Sequence, residues 1–130
     1  MKLEEYWSPS EEDRKAVDIL RSLGYTIGDA KTMVYFLNFD EGKSRDIERI
    51  MYASQPEVSV ALSSLVKKNC LNCKNVKKGN SKGRPIKLYR LSKGRDYILD
   101  SVIKETDEKL KVKSYLLEEF KRVSTQIKNR

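Results

Sequence analysis

Apolar residues recur at spacings of three and four near the start of the chain, which is the period of an amphipathic helix. The first such segment begins at Ser8–Glu11, where Ser8 caps the helix, Pro9 suits its first position and Glu11 completes a capping box. We expect this helix to extend to Leu23 and to stop at Gly24. The stripe that it should bury consists of Ala16, Val17, Leu20 and Leu23.

Three further helical segments follow in close succession. The pattern predicts helices from about Gly28 to Phe39, from Lys43 or Ser44 to Met51, and from a capping box at Ser54–Glu57 to about Lys68. Only Tyr52, Ala53 and the cap separate the last two, a link so short that it predicts a helix-turn-helix corner. The residues that should face inward are Ala30, Met33, Val34, Leu37, Ile47, Ile50, Met51, Val58, Ala61, Leu62 and Leu65.

A β-hairpin is predicted directly after the fourth helix. Its strands are Leu71–Lys77 and Ile86–Leu91, joined by the flexible tip Gly79–Gly83, and Pro85 lies where a strand tolerates a missing N–H. A helix-turn-helix followed by a hairpin is the order of a winged helix. The predicted fold class is therefore mainly α with a small β-hairpin wing, with residues 1–95 as one winged helix-turn-helix domain.

The rest of the chain, residues 96–130, is predicted to be a long helix for dimerisation. Ser92 suits its N-cap, and the helix can extend from about Lys93 towards Lys128. Positions spaced alternately by four and three form a coiled-coil-like seam whose apolar members are Leu99, Ile103, Leu110, Leu117, Phe120 and Ile127. A helix of about 35 residues spans ~50 Å, more than a small domain can cover, so we expect a homodimer. Folding of this helix back onto its own domain is the alternative.

Charge is concentrated in the hairpin region. The segment Lys67–Arg95 contains eleven Lys and Arg and no acid, whereas the whole chain has a net charge of +8. This balance favours a polyanionic partner, with nucleic acid ahead of an anionic membrane surface. We expect double-stranded DNA, with these wing residues on its phosphates or in its minor groove: Lys77, Lys78, Asn80, Ser81, Lys82, Arg84 and Lys87.

The fourth helix is predicted to enter the major groove, as in other winged helices. The residues outside its apolar stripe that should face DNA are Gln55, Ser59, Val60, Ser63 and Lys67. The common contact from Arg to guanine is missing from this set, so we expect modest sequence discrimination.

Composition disfavours catalysis and metal binding. The chain has no His and two Cys, which leaves no Ser–His or Cys–His pair and too few ligands for a four-coordinate zinc in one chain. We therefore expect no enzyme activity and no cofactor. In an extended segment the side chains of Cys70 and Cys73 would point to opposite faces. A structural role, redox sensing and a metal site shared between subunits all remain open for this pair. The acidic N-terminus and the lack of an apolar run of membrane length predict a cytoplasmic protein, and the expected DNA binding would make it nucleoid-associated.

Several short motifs resemble those of TrmB-type archaeal regulators. Leu23–Thr26 with Asp29–Lys31 and Tyr35 is similar to the "LGLT…EAK…Y" opening of that family. Asp46-Ile47 and Ala61–Lys68 match the two helices of its helix-turn-helix. Gly83–Pro85 with Tyr89–Leu91 resembles its wing, and Leu91–Arg95 resembles the junction that follows MarR-like wings.

The resemblance covers residues 20–95 and implies a winged-helix transcriptional regulator. Two positions depart from the family pattern, because Tyr52 and Cys70 occupy places where glycine is usual. TrmB-type proteins usually carry a sugar-binding domain after the DNA-binding domain, whereas only a helix follows here, so we expect no small-molecule effector.

Three functions remain open at this point. The first is a dimeric, sequence-preferring transcriptional regulator. The second is an architectural nucleoid protein with little sequence preference, which the absence of arginine on the fourth helix favours. The third is a winged helix that binds another protein instead of DNA.

Overall fold

The computed structural model describes residues 7–76 and 85–130, which form five helices and a three-stranded sheet. The chain divides after Ile98 into two compact units. In order, the elements are α1 (Glu11–Ser22), α2 (Ile27–Asn38), β1 (Glu41–Lys43), α3 (Ser44–Met51), α4 (Gln55–Lys67), β2 (Leu71–Val76), β3 (Ile86–Leu91) and α5 (Asp96–Lys128).

The predicted helix-turn-helix is present as α3 and α4. The first helix of the pair ends at Tyr52, which adopts the left-handed conformation (φ 53°, ψ 49°), and the second starts at the capping box of Ser54 and Glu57. The sequence placed Tyr52 at a glycine-like position, and its positive φ confirms this. The second glycine-like position is Asn69 (φ 64°) and not Cys70.

The end of α4 explains why Asn69 takes this conformation. The Asn69 N–H donates to the carbonyl of Val66, and the Cys70 N–H donates to the carbonyl of Leu65. This pair of bonds is a Schellman motif, which requires a left-handed residue directly before Cys70. The chain thereby turns from α4 into β2 within three residues, and Cys70 is fully buried.

The wing hairpin is part of a small antiparallel sheet. Its strand order is β1-β3-β2, with Gly42 and Cys73 on either side of Tyr89. The sequence pattern located both hairpin strands, but it predicted no strand at Glu41–Lys43, between the second and third helices. A strand of three residues is too short to show alternation, so only the pairing with β3 identifies it.

The core lies where α2, α3 and α4 meet. α2 is buried on most of its surface, including Tyr35 and Phe36, and ring contacts link Tyr35 to both Phe36 and Phe39. Trp7 packs edge-on against Phe39 at 5.0 Å between ring centroids. Most of the predicted inward positions are buried, the exceptions being Leu23 and Leu37, which are exposed, and Ala16 and Leu20, which are half-buried.

Two predicted helix starts were wrong. α1 is capped by Ser10 and not Ser8, because Asp13 accepts hydrogen bonds from both the backbone N–H and the hydroxyl of Ser10 at 2.8 Å. α5 begins at Asp96, since Gly94 has φ +85° and interrupts any helix started at Lys93. Ser92 instead joins the sheet to the end of α4, where its hydroxyl donates to the Asn69 carbonyl.

Candidate nucleic-acid interface

The position of α4 is set by close packing against α2. Gly28, in the first turn of α2, lies so near the start of α4 that an added Cβ would be 2.6 Å from the Glu57 carbonyl oxygen. Its distance to Glu57 Cβ would be 2.9 Å. Because backbone cannot yield as a flexible side chain does, only glycine allows the two helices to approach this closely. The buried residues on the α4 side of this contact are Val58, Ala61, Leu62 and Leu65.

This packing directs one face of α4 to solvent. Gln55, Ser59, Val60, Ser63 and Lys67, which the sequence assigned to DNA contact, are all exposed. Val60 is the unusual member, because an aliphatic side chain that is 67% exposed contributes nothing to the core. The face therefore offers an amide, two hydroxyls, a methyl-bearing side chain and one cation.

A groove of about 510 Å³ lies beside this face. Its floor and walls come from the start of α3, the exposed face of α4 and the return strand β3. The lining residues are Lys43, Ser44, Arg45, Asp46, Gln55, Ser59, Leu62, Ile86, Lys87 and Tyr89. We call this surface the α3–α4–β3 groove.

The charge of the groove is positive. Lys43, Arg45 and Lys87 line it together with a single acid, Asp46, whose carboxylate lies 3.6 Å from the guanidinium of Arg49. Arg45 and Lys87 are exposed, so both cations are accessible to a ligand. Such an arrangement attracts anions such as phosphate groups.

Of the predicted wing residues, only Lys87 belongs to the described part of the chain, where it lies on β3 and lines the groove. Lys77, Lys78, Asn80, Ser81, Lys82 and Arg84 lie outside the described residues. Lys74, on the neighbouring strand β2, is exposed as well.

Lys43, Arg45 and Tyr89 also line this surface, although no sequence pattern assigned them to it. Lys43 ends β1 and Arg45 is the second residue of α3, so their position depends on the pairing of β1 with β3. The available signal was the Lys43-Ser44-Arg45 run at the start of the first helix of the helix-turn-helix. This run is weak evidence for a binding surface on its own, because charged residues at the start of a helix are usually solvated.

Cys70 and Cys73 differ sharply in their surroundings. Cys70 is fully buried, whereas Cys73 is exposed on β2 opposite Tyr89. Burial raises the pKa of the Tyr89 hydroxyl, and the neighbouring Cys73 raises it further. The two cysteines are therefore separated, but strand parity is not the reason, because Cys70 lies in the turn that ends α4 and only Cys73 belongs to β2. Within residues 7–76 and 85–130 there is no cluster of three or more candidate metal ligands.

The seam residues of α5 are all exposed. Leu99, Ile103, Leu110, Leu117 and Ile127 have between 54% and 60% of their surface accessible, and Phe120 has 70%. Such a row of large apolar side chains on one helix is what a partner helix would cover. In the described part of the chain, no helix combines the length and the apolar character needed to cross a bilayer.

Known structures share this fold at low sequence identity. TrmBL2, described as an archaeal chromatin protein with a novel mode of DNA binding, matches with a TM-score of 0.60 and 16% identity over 88% of this chain. A possible transcriptional regulator from Methanosarcina mazei matches with a TM-score of 0.55 and 17% identity, over 84% of this chain and 87% of that one. No protein-family model and no curated protein sequence matches the chain.

These similarities establish the class of the protein as a winged helix-turn-helix protein. The chain spans 41% of the length of the TrmBL2 chain, so it corresponds to one part of that protein. The fold expected from the TrmB-like motifs is thereby confirmed.

Proposed function

We propose that the protein is a dimeric transcriptional regulator that binds double-stranded DNA with a sequence preference. The observation that carries the proposal is the position of the cationic α3–α4–β3 groove directly beside the exposed polar face of α4. In this proposal α4 lies in the major groove, and the cations of the groove contact phosphates on its borders. The similarity to TrmBL2, itself described as binding DNA, supports it.

The exposed face of α4 defines what sequence it can read. Gln55 suits a bidentate contact to adenine, and the exposed methyl groups of Val60 suit the methyl group of thymine. Ser59 and Ser63 suit either bases or phosphates. Because this face carries no arginine, we expect an A·T-rich preference of modest strength.

Affinity in this proposal comes mainly from cations. Lys43, Arg45 and Lys87 line the groove beside the face of α4, Lys67 lies on that face, and the basic tip at residues 77–84 adds further positive charge. Each phosphate neutralised by such a residue makes the slope of log K against log salt more negative by ~0.9. A dimer doubles the number of these contacts, so binding should depend steeply on salt.

The proposal is tested by selection from a random duplex library at ~150 mM salt, followed by sequencing of the bound fraction. We expect enrichment of one A·T-rich motif that recurs as two half-sites. The Gln55→Ala variant should lose preference at one base pair per half-site, at a cost of about 1–3 kcal/mol. Retention of a random pool with no enriched motif would contradict the sequence preference.

A second function is favoured by one specific observation. The exposed face of α4 contains no arginine although the groove beside it is cationic, which favours binding by phosphate contacts over base reading. This combination fits an architectural chromatin protein, and TrmBL2 is described as one. Continuous protection of long duplexes, without discrete footprints, would support this alternative over the regulator.

A further inference from the structure

The long helix α5 carries its large apolar side chains in a heptad pattern. Numbered as a coiled coil, the a positions are Ile103, Leu110, Leu117 and Ser124, and the d positions are Leu99, Thr106, Lys113, Phe120 and Ile127. The six apolar members are exposed. Covering a side chain of this size contributes about 1.5–3 kcal/mol, which makes a second copy of the same helix a natural partner.

A parallel pair of α5 helices would be poorly matched. Equal positions face each other in that arrangement, so Lys113 would meet Lys113 of the partner subunit inside the seam. Position g also faces position e of the partner subunit, which brings Val102 to Asp107, Lys109 to Ser114, Leu116 to Lys121 and Val123 to Lys128. None of these pairs joins opposite charges.

An antiparallel pair places different residues opposite each other. Position a now faces d, and a register with its two-fold axis at Tyr115 gives four layers on each side of the axis. From the axis outward they are Lys113 with Leu117, Leu110 with Phe120, Thr106 with Ser124 and Ile103 with Ile127 of the partner subunit. In the first layer the aliphatic stem of the lysine covers the leucine and the ammonium reaches solvent. The third layer joins two hydroxyls.

The charges at the flanks favour the same register. In an antiparallel pair e faces e, so Asp100 lies opposite Lys128 of the partner subunit and Asp107 lies opposite Lys121 of the partner subunit. On the other flank, Leu116 meets Leu116 of the partner subunit next to the axis. Charged residues at these flanking positions are what sets orientation and register in coiled coils.

Neighbouring registers are less favourable. If one helix is shifted by one heptad in one direction, the flanks keep one pair of opposite charges, Asp100 with Lys121 of the partner subunit. A shift in the other direction leaves Asp107 opposite Lys128 and brings Lys109 against Arg130. The register centred on Tyr115 therefore has the best charge match.

Existing ion pairs within α5 do not prevent these contacts. Lys111 lies 3.1 Å from one carboxylate oxygen of Asp107, and Lys121 lies 3.1 Å from Glu118. Both pairs are exposed. A carboxylate has a second oxygen and an ammonium has three protons, so each can also bind a group on another helix.

We propose that α5 pairs with α5 of a second copy in antiparallel orientation, with the two-fold axis at Tyr115 and with Asp100 and Asp107 facing Lys128 and Lys121 of the partner subunit. This inference rests on the proposed dimer and defines its interface.

A double-mutant cycle on the full-length protein tests the register. Asp107→Lys and Lys121→Asp each place like charges opposite each other twice per dimer, so each should weaken the dimer Kd by about tenfold. The double variant restores opposite charges and should return to within about threefold of wild type. Effects within one helix do not mimic this coupling, because positions 107 and 121 are four turns apart. Glu108→Lys, an exposed reversal outside the seam, is the matched control and should leave the Kd unchanged.

Distances between nitroxide labels test the orientation separately. In a Cys73→Ser background, in which the remaining Cys70 is buried, a label at Lys104→Cys should show a distance of about 35 Å, because 22 residues of ~1.5 Å rise separate the two labels along the axis. A parallel pair would instead give about 20 Å or less. Labels at Tyr115→Cys lie at one level in either orientation and confirm that the dimer has formed.

DNA binding is measured on the same samples. Short distances between labels at position 104, or no recovery of the Kd in the double variant, would overturn the antiparallel register. If DNA binding is intact in the same samples, the proposed function still stands. A monomer in sedimentation would overturn the register as well. Long distances without DNA binding would support the register and contradict the proposed function.

Discussion

Replacement of Tyr52 by glycine should stabilise the protein although it removes a large aromatic side chain. Tyr52 lies between α3 and α4 with φ 53° and ψ 49°, and 77% of its surface is exposed. A residue with a Cβ pays roughly 1–2 kcal/mol in the left-handed region, whereas glycine pays no such penalty. The hydrogen bond that Lys31 Nζ donates to the Tyr52 carbonyl at 2.7 Å involves only the backbone at position 52 and persists in the variant.

The expected gain follows from two opposing contributions. Relief of backbone strain is offset by the greater conformational entropy of glycine in the unfolded chain, about 0.5–1 kcal/mol. The small buried fraction of the tyrosine ring adds little to this loss. We therefore expect Tyr52→Gly to raise the free energy of unfolding by about 0.5–1 kcal/mol, which corresponds to a Tm increase of roughly 2–6 °C.

Urea unfolding followed by circular dichroism measures this effect. Protein concentration is held constant, because dimerisation couples stability to concentration. Tyr52→Ala is the matched control, since alanine keeps the Cβ and therefore the strain. Asn69→Gly should gain less, because asparagine tolerates the left-handed region better than tyrosine. A Tyr52→Gly variant no more stable than wild type, or an equal gain in Tyr52→Ala, would show that position 52 carries no backbone strain that glycine relieves.

Three further predictions concern the packing of α4 and the caps of α4 and α1. Gly28→Ala should lower stability by about 1–2 kcal/mol, because its Cβ would meet the Glu57 backbone, and should weaken DNA binding by displacing α4; urea unfolding and fluorescence anisotropy measure both. Ser54→Ala should cost ~1 kcal/mol through loss of the α4 cap, whereas Ser54→Asp should retain most of it in the same unfolding assay. Burial alone would raise the pKa of Asp13, but hydrogen bonds from Ser10 and Asn38 outweigh it and hold this pKa below its ordinary 3.8. Because this pKa is lower in the folded state, ionised Asp13 stabilises the fold above pH ~4, and the contribution is lost as pH falls through the folded pKa. In thermal unfolding, Asp13→Asn should therefore lower stability near neutral pH and lose less stability than wild type on acidification.

Local signals predicted α3 and α4 well, for physical reasons. In α4 the cap, the proline in the first turn and the apolar stripe all agree, and each depends only on neighbours in sequence. The buried residues Val58, Ala61, Leu62 and Leu65 therefore follow from periodicity alone. Tyr52 was identified as a glycine-like position through the family resemblance, and the short link explains why the chain must reverse there.

Other features depend on contacts between distant residues. Ser8 and Ser10 both suit a helix start, and Asp13 decides in favour of Ser10, with a hydrogen bond from Asn38 that no local pattern reveals. β1 exists only because β3 pairs with it, and that pairing brings Lys43 and Arg45 to the groove. Ser92 was assigned to a helix cap but bonds to the end of α4. The sequence therefore placed α4 and Lys87 in the candidate site, but not Lys43 and Arg45, whose positions depend on the pairing of β1 with β3.

The salt dependence of duplex binding, measured by fluorescence anisotropy from ~50 to ~300 mM salt, tests whether DNA binds at the α3–α4–β3 groove. The variant Arg45→Glu with Lys87→Glu removes two exposed cations from the α3–α4–β3 groove. Its control, Lys15→Glu with Arg21→Glu, makes the same charge change at exposed positions of α1.

We predict that the groove variant loses affinity and that its slope of log K against log salt is less steep by about 1.8 for each subunit that contacts DNA. The α1 variant should keep a slope close to that of wild type. Equal losses in both variants would mean that net charge alone drives binding, and unchanged binding in the groove variant would contradict the assignment of this surface to DNA.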